Sequence, residues 1–207
     1  MTALPRLLIL TDRRRAQARG RTLVETIEAA VQGGARAVVL RERDLPVEER
    51  LQLGRALLEV VEGGMLIVAS DPALALHLGA SAVHLASSDP WDIPDGLLVG
   101  RSCHDAGELA EAARRHADYA TLSPVFPSLS KPGYGPSLGA EGLARLVGPE
   151  LPHFALGGIS PGRVQACLEA GAYGVAVMGA VMSAERPAQV TARLVAEAQE
   201  LRREVPT

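Results

Sequence analysis

The sequence predicts an α/β fold, a (β/α)8 TIM barrel formed by a single small domain. Eight short apolar runs alternate with helical stretches, the runs are almost continuously apolar, and the chain has 207 residues. Continuous apolar runs are typical of parallel strands that are buried on both faces. Eight such strands in about 200 residues favour a closed barrel, and an open doubly wound sheet is the alternative.

Each predicted strand is a short apolar run that ends at turn residues. The strands cover residues 6–11, 37–41, 65–69, 82–85, 97–102, 119–122, 153–156 and 174–178. Between them, apolar residues recur at a spacing of about 3.6, which predicts amphipathic helices. The helices cover residues 22–32, 47–61, 72–78, 105–116, 140–147, 161–170 and 187–205. The chain contains no linker or low-complexity tract, so we expect one domain over residues 1–207.

Composition excludes several classes of partner. A net charge of −3 gives no electrostatic reason to bind nucleic acid or an anionic membrane. No apolar run approaches the roughly 20 residues of a membrane span. The first residues lack the charged and apolar regions of a secretory signal, and the two cysteines have no metal-type spacing. We therefore expect a cytoplasmic protein.

The last two predicted strands end at glycine. Gly157 and Gly158 follow the seventh strand, and Met178 and Gly179 follow the eighth. Glycine lets a ligand approach the backbone closely, and free N–H groups at a helix start attract an anion. Neighbouring junctions of this kind are where a (β/α)8 barrel holds phosphate. The two segments therefore predict a site for a phosphorylated small molecule.

Cations and hydroxyl groups follow several other strands, and these positions should converge on the same end of the barrel. Arg41 and Arg43 follow the second strand, Ser102 ends the fifth, and Lys131 lies in a long loop after the sixth. Such side chains suit phosphate or diphosphate oxygens. The alternative role for Arg41 is an ion pair with Glu42 or with a neighbouring carboxylate. A loop of this length is typical of a lid, or it is only a long connection.

Two carboxylates follow neighbouring strands at this end. Asp71 comes after the third strand and Asp89 after the fourth. Mg2+ is usually held by one or two carboxylates, with water and phosphate oxygens completing its shell. The alternatives are that Asp71 is the N-cap of the next helix and that Asp89 is a turn residue. For the charged run Arg13–Arg15, solvated loop charges are the favoured interpretation.

The order of these motifs resembles the thiamine phosphate synthase family and its relative, the TenI-type thiazole tautomerase. The resemblance covers nearly the whole chain and includes the segments 10–13, 40–43, 83–85, 100–104, 117–119, 124–131, 157–159 and 171–177. For the synthase it implies that hydroxymethylpyrimidine diphosphate is joined to a thiazole phosphate, with release of diphosphate. It also implies Mg2+ as cofactor and small phosphorylated molecules as substrates; homo-oligomerisation is left open.

The same resemblance implies roles for individual residues. The diphosphate would be held by Arg41, Arg43, Ser102 and Lys131, and the Mg2+ by Asp71 and Asp89. The thiazole phosphate would be held by Ser128, Ser130, Gly157, Gly158, Met178 and Gly179.

Three departures from the family pattern keep other functions open. Val39 stands where the synthase usually has glutamine, and Arg43 stands where it has lysine. The tautomerase places a histidine base where this chain has Pro124, so a tautomerase would need His84 or His104 instead. The loss of polarity at Val39 motivates a third hypothesis, a barrel that binds thiazole phosphate or thiamine phosphate without turnover.

Overall fold

Eight parallel strands form a closed barrel in the protein's computed structural model, which describes residues 4–127, 137–148 and 151–200. The strands follow one another around the barrel in chain order, and the last pairs with the first. The predicted TIM barrel is therefore confirmed, and the open sheet is wrong. The strands are β1 (Leu7–Leu10), β2 (Ala37–Leu40), β3 (Met65–Ala69), β4 (Ala82–Leu85), β5 (Leu98–Cys103), β6 (Tyr119–Leu122), β7 (His153–Leu156) and β8 (Gly174–Val177).

Helices cover the outside of the barrel. They are α1 (Arg13–Gln17), α2 (Leu23–Gln32), α3 (Val47–Val60), α4 (Pro72–Leu78), α5 (Ala106–Arg114), α6 (Gly139–Leu146), α7 (Val164–Glu169), α8 (Gly179–Met182) and α9 (Pro187–Glu200). In the described ranges no helix combines the length and the apolarity needed to cross a membrane. The domain limits at residues 1 and 207 stay a prediction, because both ends lie outside those ranges.

Two helix starts differ from the predictions. Helix α1 was not expected from periodicity, because five residues are too few to show a repeat; its signal is Asp12, whose carboxylate accepts from the Arg15 amide. Helix α7 starts at Val164 and not at residue 161. A turn precedes it, in which the Arg163 amide donates to the Ser160 carbonyl at 3.0 Å.

Strand side chains alternate between two apolar layers. One set, including Leu8, Val39 and Phe154, packs inside the barrel, and the other packs against the helices. Because the strand period is two, the residue two positions after an inward side chain also points inward, nearer the mouth. Arg41 stands in this relation to Val39, and Met178 to the inward-facing Ala176. The strand geometry thus places both residues at the carboxyl end of the barrel.

Candidate active site

The turn after β7 is built from two glycines with left-handed backbone. Gly157 has φ +100° and Gly158 has φ +63°. A Cβ atom on Gly158 would lie 2.5 Å from the Pro127 carbonyl oxygen and 2.7 Å from that of Phe126. The chain leaving β6 is fixed against this turn, since the Phe126 amide donates to the Gly157 carbonyl at 3.0 Å. Only glycine fits here, for reasons of both conformation and space.

The turn after β8 lies beside the turn after β7, because Leu156 of β7 is in register with Ala176 of β8. Met178 is the N-cap of the short helix α8, and Gly179 is its first residue. The first N–H groups of a helix have no partner within the helix. Both turns are half-buried. The prediction that the two junctions lie side by side is confirmed. Phosphate binding by Gly157, Gly158, Met178 and Gly179 stays a prediction.

Arg41 lies at the mouth with an exposed side chain. Its Nη1 is 2.9 Å from the Met178 sulfur, so its guanidinium reaches the edge of the β7–β8 corner. The alternative ion pair with Glu42 is wrong, because the buried Glu42 carboxylate pairs with Arg13 at 2.9 Å. Within the described ranges Arg41 has no carboxylate partner. Its charge is therefore available for an anion.

Arg13 joins the loops that follow β1 and β2. It binds both oxygens of Asp44, at 2.7 and 2.8 Å, as well as Glu42. This pairing lowers the pKa of Asp44 to about 2 and raises the pKa of Arg13. The solvated-charge interpretation is wrong for Arg13, whereas the Arg14 side chain is 75% exposed and also pairs with Asp44, at 2.7 Å. Because Arg13 takes both carboxylates, it leaves Arg41 uncompensated.

Arg43 is exposed on the same loop, and its amide donates to the Arg41 carbonyl. A cavity of about 210 Å³ lies beside these side chains and is lined by Thr11, Arg13, Arg41 and Glu42 among others. A larger cavity of about 390 Å³ lies among α1, α2 and α3, outside the barrel. We assign the site to the mouth because the uncompensated cations lie there.

Ser102 lies on the inward face near the end of β5 and contacts His84. The Ser102 hydroxyl is 3.0 Å from His84 Nε2, and the other ring nitrogen, Nδ1, is 3.1 Å from the Tyr119 hydroxyl. Burial, together with the nearby positive charges of Arg101 and Arg41, lowers the pKa of His84 to about 4. His84 is therefore a neutral, hydrogen-bonded residue of the barrel interior near neutral pH.

Both carboxylates predicted to bind metal also perform the alternative roles that the sequence suggested. Asp71 caps α4 by accepting from the Leu74 amide at 2.9 Å, and it pairs with Arg50 at 2.7 Å. Asp89 accepts from the Ala86 amide at 2.7 Å. The described residues contain no group of three or more metal-binding side chains. A carboxylate oxygen can accept more than one contact, so these roles leave Mg2+ binding by Asp71 and Asp89 as a prediction.

The loop that carries Asp89 is held from outside the barrel by Arg101. This nearly buried guanidinium donates to the carbonyl oxygens of Ser87 and Asp89, at 2.7 and 2.8 Å. It also stacks on Trp91, 4.4 Å from the ring centroid. Strand periodicity indicates this role, because Arg101 stands on β5 between the inward-facing positions Gly100 and Ser102 and therefore points outward.

Three predicted site residues, Ser128, Ser130 and Lys131, lie outside the described residues. The described start of their loop is fixed by Ser123, whose carbonyl oxygen is 2.7 Å from Nδ1 of His104. Their predicted roles stay predictions, as does the lid.

Fold and site together define a (β/α)8 barrel with glycine turns after β7 and β8 and uncompensated cations at the mouth, a combination that suits a phosphorylated ligand. The chain belongs to the thiamine monophosphate synthase family, whose model matches residues 7–181. This confirms the resemblance that the sequence motifs indicate.

Three relatives illustrate this membership. A putative thiamine-phosphate synthase from Geobacter sulfurreducens is 38% identical over 92% of each chain. A thiamine-phosphate synthase from Roseiflexus castenholzii is 35% identical over 90% of this chain and 85% of its own. The solved structure of thiamine phosphate pyrophosphorylase from Pyrococcus furiosus superimposes with a TM-score of 0.85 at 29% identity, covering 95% and 96% of the two chains.

Replacing Gly158 by alanine should remove anion binding at the β7–β8 corner. The new Cβ would meet two carbonyl oxygens and force the turn to shift, and left-handed backbone adds strain. We expect affinity for inorganic phosphate, measured by calorimetry, to fall at least about tenfold, a loss of roughly 1.4 kcal/mol. The matched control is Gly162→Ala, because Gly162 also has positive φ but open space around it. Equal losses in both variants would contradict the steric argument.

Replacing His84 by glutamine should make the free energy of unfolding depend less on pH in the acidic range. His84 has an ordinary pKa of 6.5 when unfolded and about 4 when folded, so only the unfolded state takes up its proton between these values. The free energy of unfolding therefore falls as the pH drops through this window, by about 3 kcal/mol for a shift of this size. Urea unfolding near pH 7 and about pH 4.5 should show a smaller loss of unfolding free energy in the variant than in the unmodified protein. An equal loss in both proteins would exclude His84 as the source of the pH dependence.

Proposed function

We propose that the chain is a thiamine-phosphate synthase, which joins hydroxymethylpyrimidine diphosphate to a thiazole phosphate and releases diphosphate. The family match over residues 7–181 carries this proposal, together with relatives of that name that are aligned over about nine-tenths of the chain. Small phosphorylated substrates and a cytoplasmic location belong to the same proposal. Two reduced, buried cysteines agree with that location.

The mouth supports a reaction between two anionic substrates because it offers two adjacent anion regions. The glycine turns after β7 and β8 suit the single phosphate, and Arg41, Arg43 and Ser102 suit the diphosphate. The contact between Arg41 and the Met178 sulfur, at 2.9 Å, makes the two regions contiguous. Two molecules bound there would therefore lie side by side, which removes much of the entropic cost of bringing them together.

The chemistry needs charge stabilisation more than proton transfer. The bond between the pyrimidine methylene carbon and the diphosphate oxygen breaks, the diphosphate leaves with the electron pair, and the thiazole nitrogen forms the new bond to that carbon. Negative charge grows on the departing diphosphate, and Arg41, Arg43 and the Ser102 hydroxyl would stabilise that charge. From its place in the loop, Lys131 would add a further cation and exclude water.

Mg2+ would be held by Asp71 and Asp89, and when bound it neutralises part of the diphosphate charge. Arg101 would contribute indirectly, since it holds the backbone of the loop that carries Asp89. The proposed thiazole phosphate site comprises Ser128 and Ser130 in addition to the glycine turns.

The tautomerase alternative has weaker support. His84, one of its two candidate bases, is buried, has its pKa lowered to about 4 and already contacts two hydroxyl groups. A base that works near neutral pH needs a pKa closer to that pH. The binding-only alternative rested on Val39, which packs in the apolar barrel interior with Leu10 and Ile67. Its apolar character is thus accounted for by packing, and loss of activity is not needed to explain it.

Replacing Asp89 by asparagine should reduce thiamine phosphate formation at least about 100-fold, the scale found when one group that stabilises developing charge is removed. The reaction is followed by diphosphate release with both substrates and Mg2+. Asp95→Asn is the matched control, since Asp95 lies on the same loop with an exposed side chain. We expect activity within about twofold of the unmodified protein for this surface change.

Three results would contradict the proposal in different ways. Tight substrate binding without diphosphate release would indicate a binding-only barrel. Isomerisation of the carboxythiazole phosphate without added metal would indicate the tautomerase. Equal activity of Asp89→Asn and Asp95→Asn would remove Asp89 from the site while leaving the synthase activity intact.

A further inference from the structure

A group of polar side chains lies inside the barrel just below the mouth, on three neighbouring strands. His84 is on β4, Ser102 on β5, and Tyr119 and Thr121 on β6. Gly100 of β5 is in register with both His84 and Tyr119. A Cβ atom on Gly100 would overlap the Tyr119 ring and lie 2.6 Å from His84 Nδ1. The missing side chain therefore allows the Tyr119 hydroxyl to reach the imidazole.

The Tyr119 hydroxyl determines which nitrogen of His84 is protonated. Tyr119 is fully buried, and His84 Nδ1, at 3.1 Å, is the only hydrogen-bond partner of its hydroxyl among the described residues. Burial raises the pKa of Tyr119, so the phenol keeps its proton. A buried O–H without an acceptor is costly. The phenol therefore donates to Nδ1, and Nδ1 carries no proton.

The remaining proton of the neutral imidazole is then on Nε2. Its nearest partner is the Ser102 hydroxyl oxygen at 3.0 Å, and the Thr121 hydroxyl is farther away at 3.4 Å. Ser102 consequently accepts from His84, and its own hydrogen is left for another acceptor. Within the described part of the chain, no other side chain or carbonyl group accepts it. Ser102 is half-buried near the carboxyl end of β5, so this hydrogen is within reach of a ligand in the mouth.

We propose that Tyr119 and His84 form a hydrogen-bond relay that holds the Ser102 hydroxyl as a donor to an anionic oxygen of the bound substrate. This inference rests on the proposed function and assigns two positioning residues to it, neither of which touches substrate. A serine hydroxyl can either donate or accept. The relay removes that ambiguity before the substrate arrives, so no reorientation is needed as charge develops on the leaving group.

A double-mutant cycle tests the relay. Tyr119→Phe removes only the hydroxyl and should lower kcat for thiamine phosphate formation about tenfold with little change in KM, since the contact strengthens in the transition state. Ser102→Ala should lower kcat by at least the same factor. In the Ser102→Ala background, Tyr119→Phe should cause less than about a twofold further loss, because both changes remove one shared interaction. If Tyr119 acts only through the structure, its fold-loss of kcat should multiply with that of Ser102→Ala.

Two variants serve as controls. Thr121→Val deletes a neighbouring buried hydroxyl that the relay does not need, and kcat should stay within about twofold. His84→Gln keeps an N–H donor toward Ser102 and should retain more activity than His84→Leu, which keeps none. Thermal unfolding of each variant shows whether a loss of activity reflects unfolding.

Nitrogen-15 NMR of the imidazole tests the same relay without activity. In the full chain near neutral pH, His84 should show a pyridine-type Nδ1 and a pyrrole-type Nε2, and Tyr119→Phe should shift the populations toward the other tautomer. A pyrrole-type Nδ1 in the unmodified protein would overturn the proposal. The proposal would also be overturned if the loss of kcat in the double variant equalled the product of the losses in the Tyr119→Phe and Ser102→Ala variants. If the unmodified protein makes no thiamine phosphate, the proposed function fails, and the spectrum still decides the tautomer.

Discussion

Pairing of β8 with β1 is the constraint on which the site depends, because it closes the barrel and brings the last two junctions beside the first. Leu8 is in register with Ala176 and Ile9 with Val177. The closure needs a glycine at the start of β8, since a Cβ atom on Gly174 would overlap the Arg6 carbonyl oxygen. With the ring closed, Arg41, which directly follows β2, reaches Met178 across the intervening β1. An open sheet would hold these residues far apart.

Charge at the mouth is distributed so that some cations are neutralised and others are not. Glu42 and Asp44 bind Arg13, and Asp71 binds Arg50. Arg41 and Arg43 have no such partner among the described residues. An anionic ligand would remove water from their guanidinium groups, and its negative charge would offset the cost of that desolvation. The barrel interior adds an uncharged polar group, in which buried His84 stays neutral between Tyr119 and Ser102. Ser102 thus connects the mouth with the packed interior of the barrel.

Apolar periodicity predicted nearly the whole fold, because buried parallel strands and amphipathic helices both leave long-range patterns in the sequence. The eight strand positions agree to within one residue at each end. The short helix α1 and the turn before α7 were missed, since both depend on local hydrogen bonds that periodicity does not report. The site was harder to predict. Strand ends identified Arg41 and Ser102 correctly as mouth residues. Which carboxylates pair with Arg13 depends on side-chain geometry that only the folded chain defines.

A crystal structure with bound thiamine phosphate tests the central assignment most directly. We expect the phosphate to lie in the β7–β8 corner, with its oxygens within hydrogen-bond distance of the amide nitrogens of Gly158 and Gly179. A phosphate bound away from that corner, with both amides turned to other partners, would contradict it.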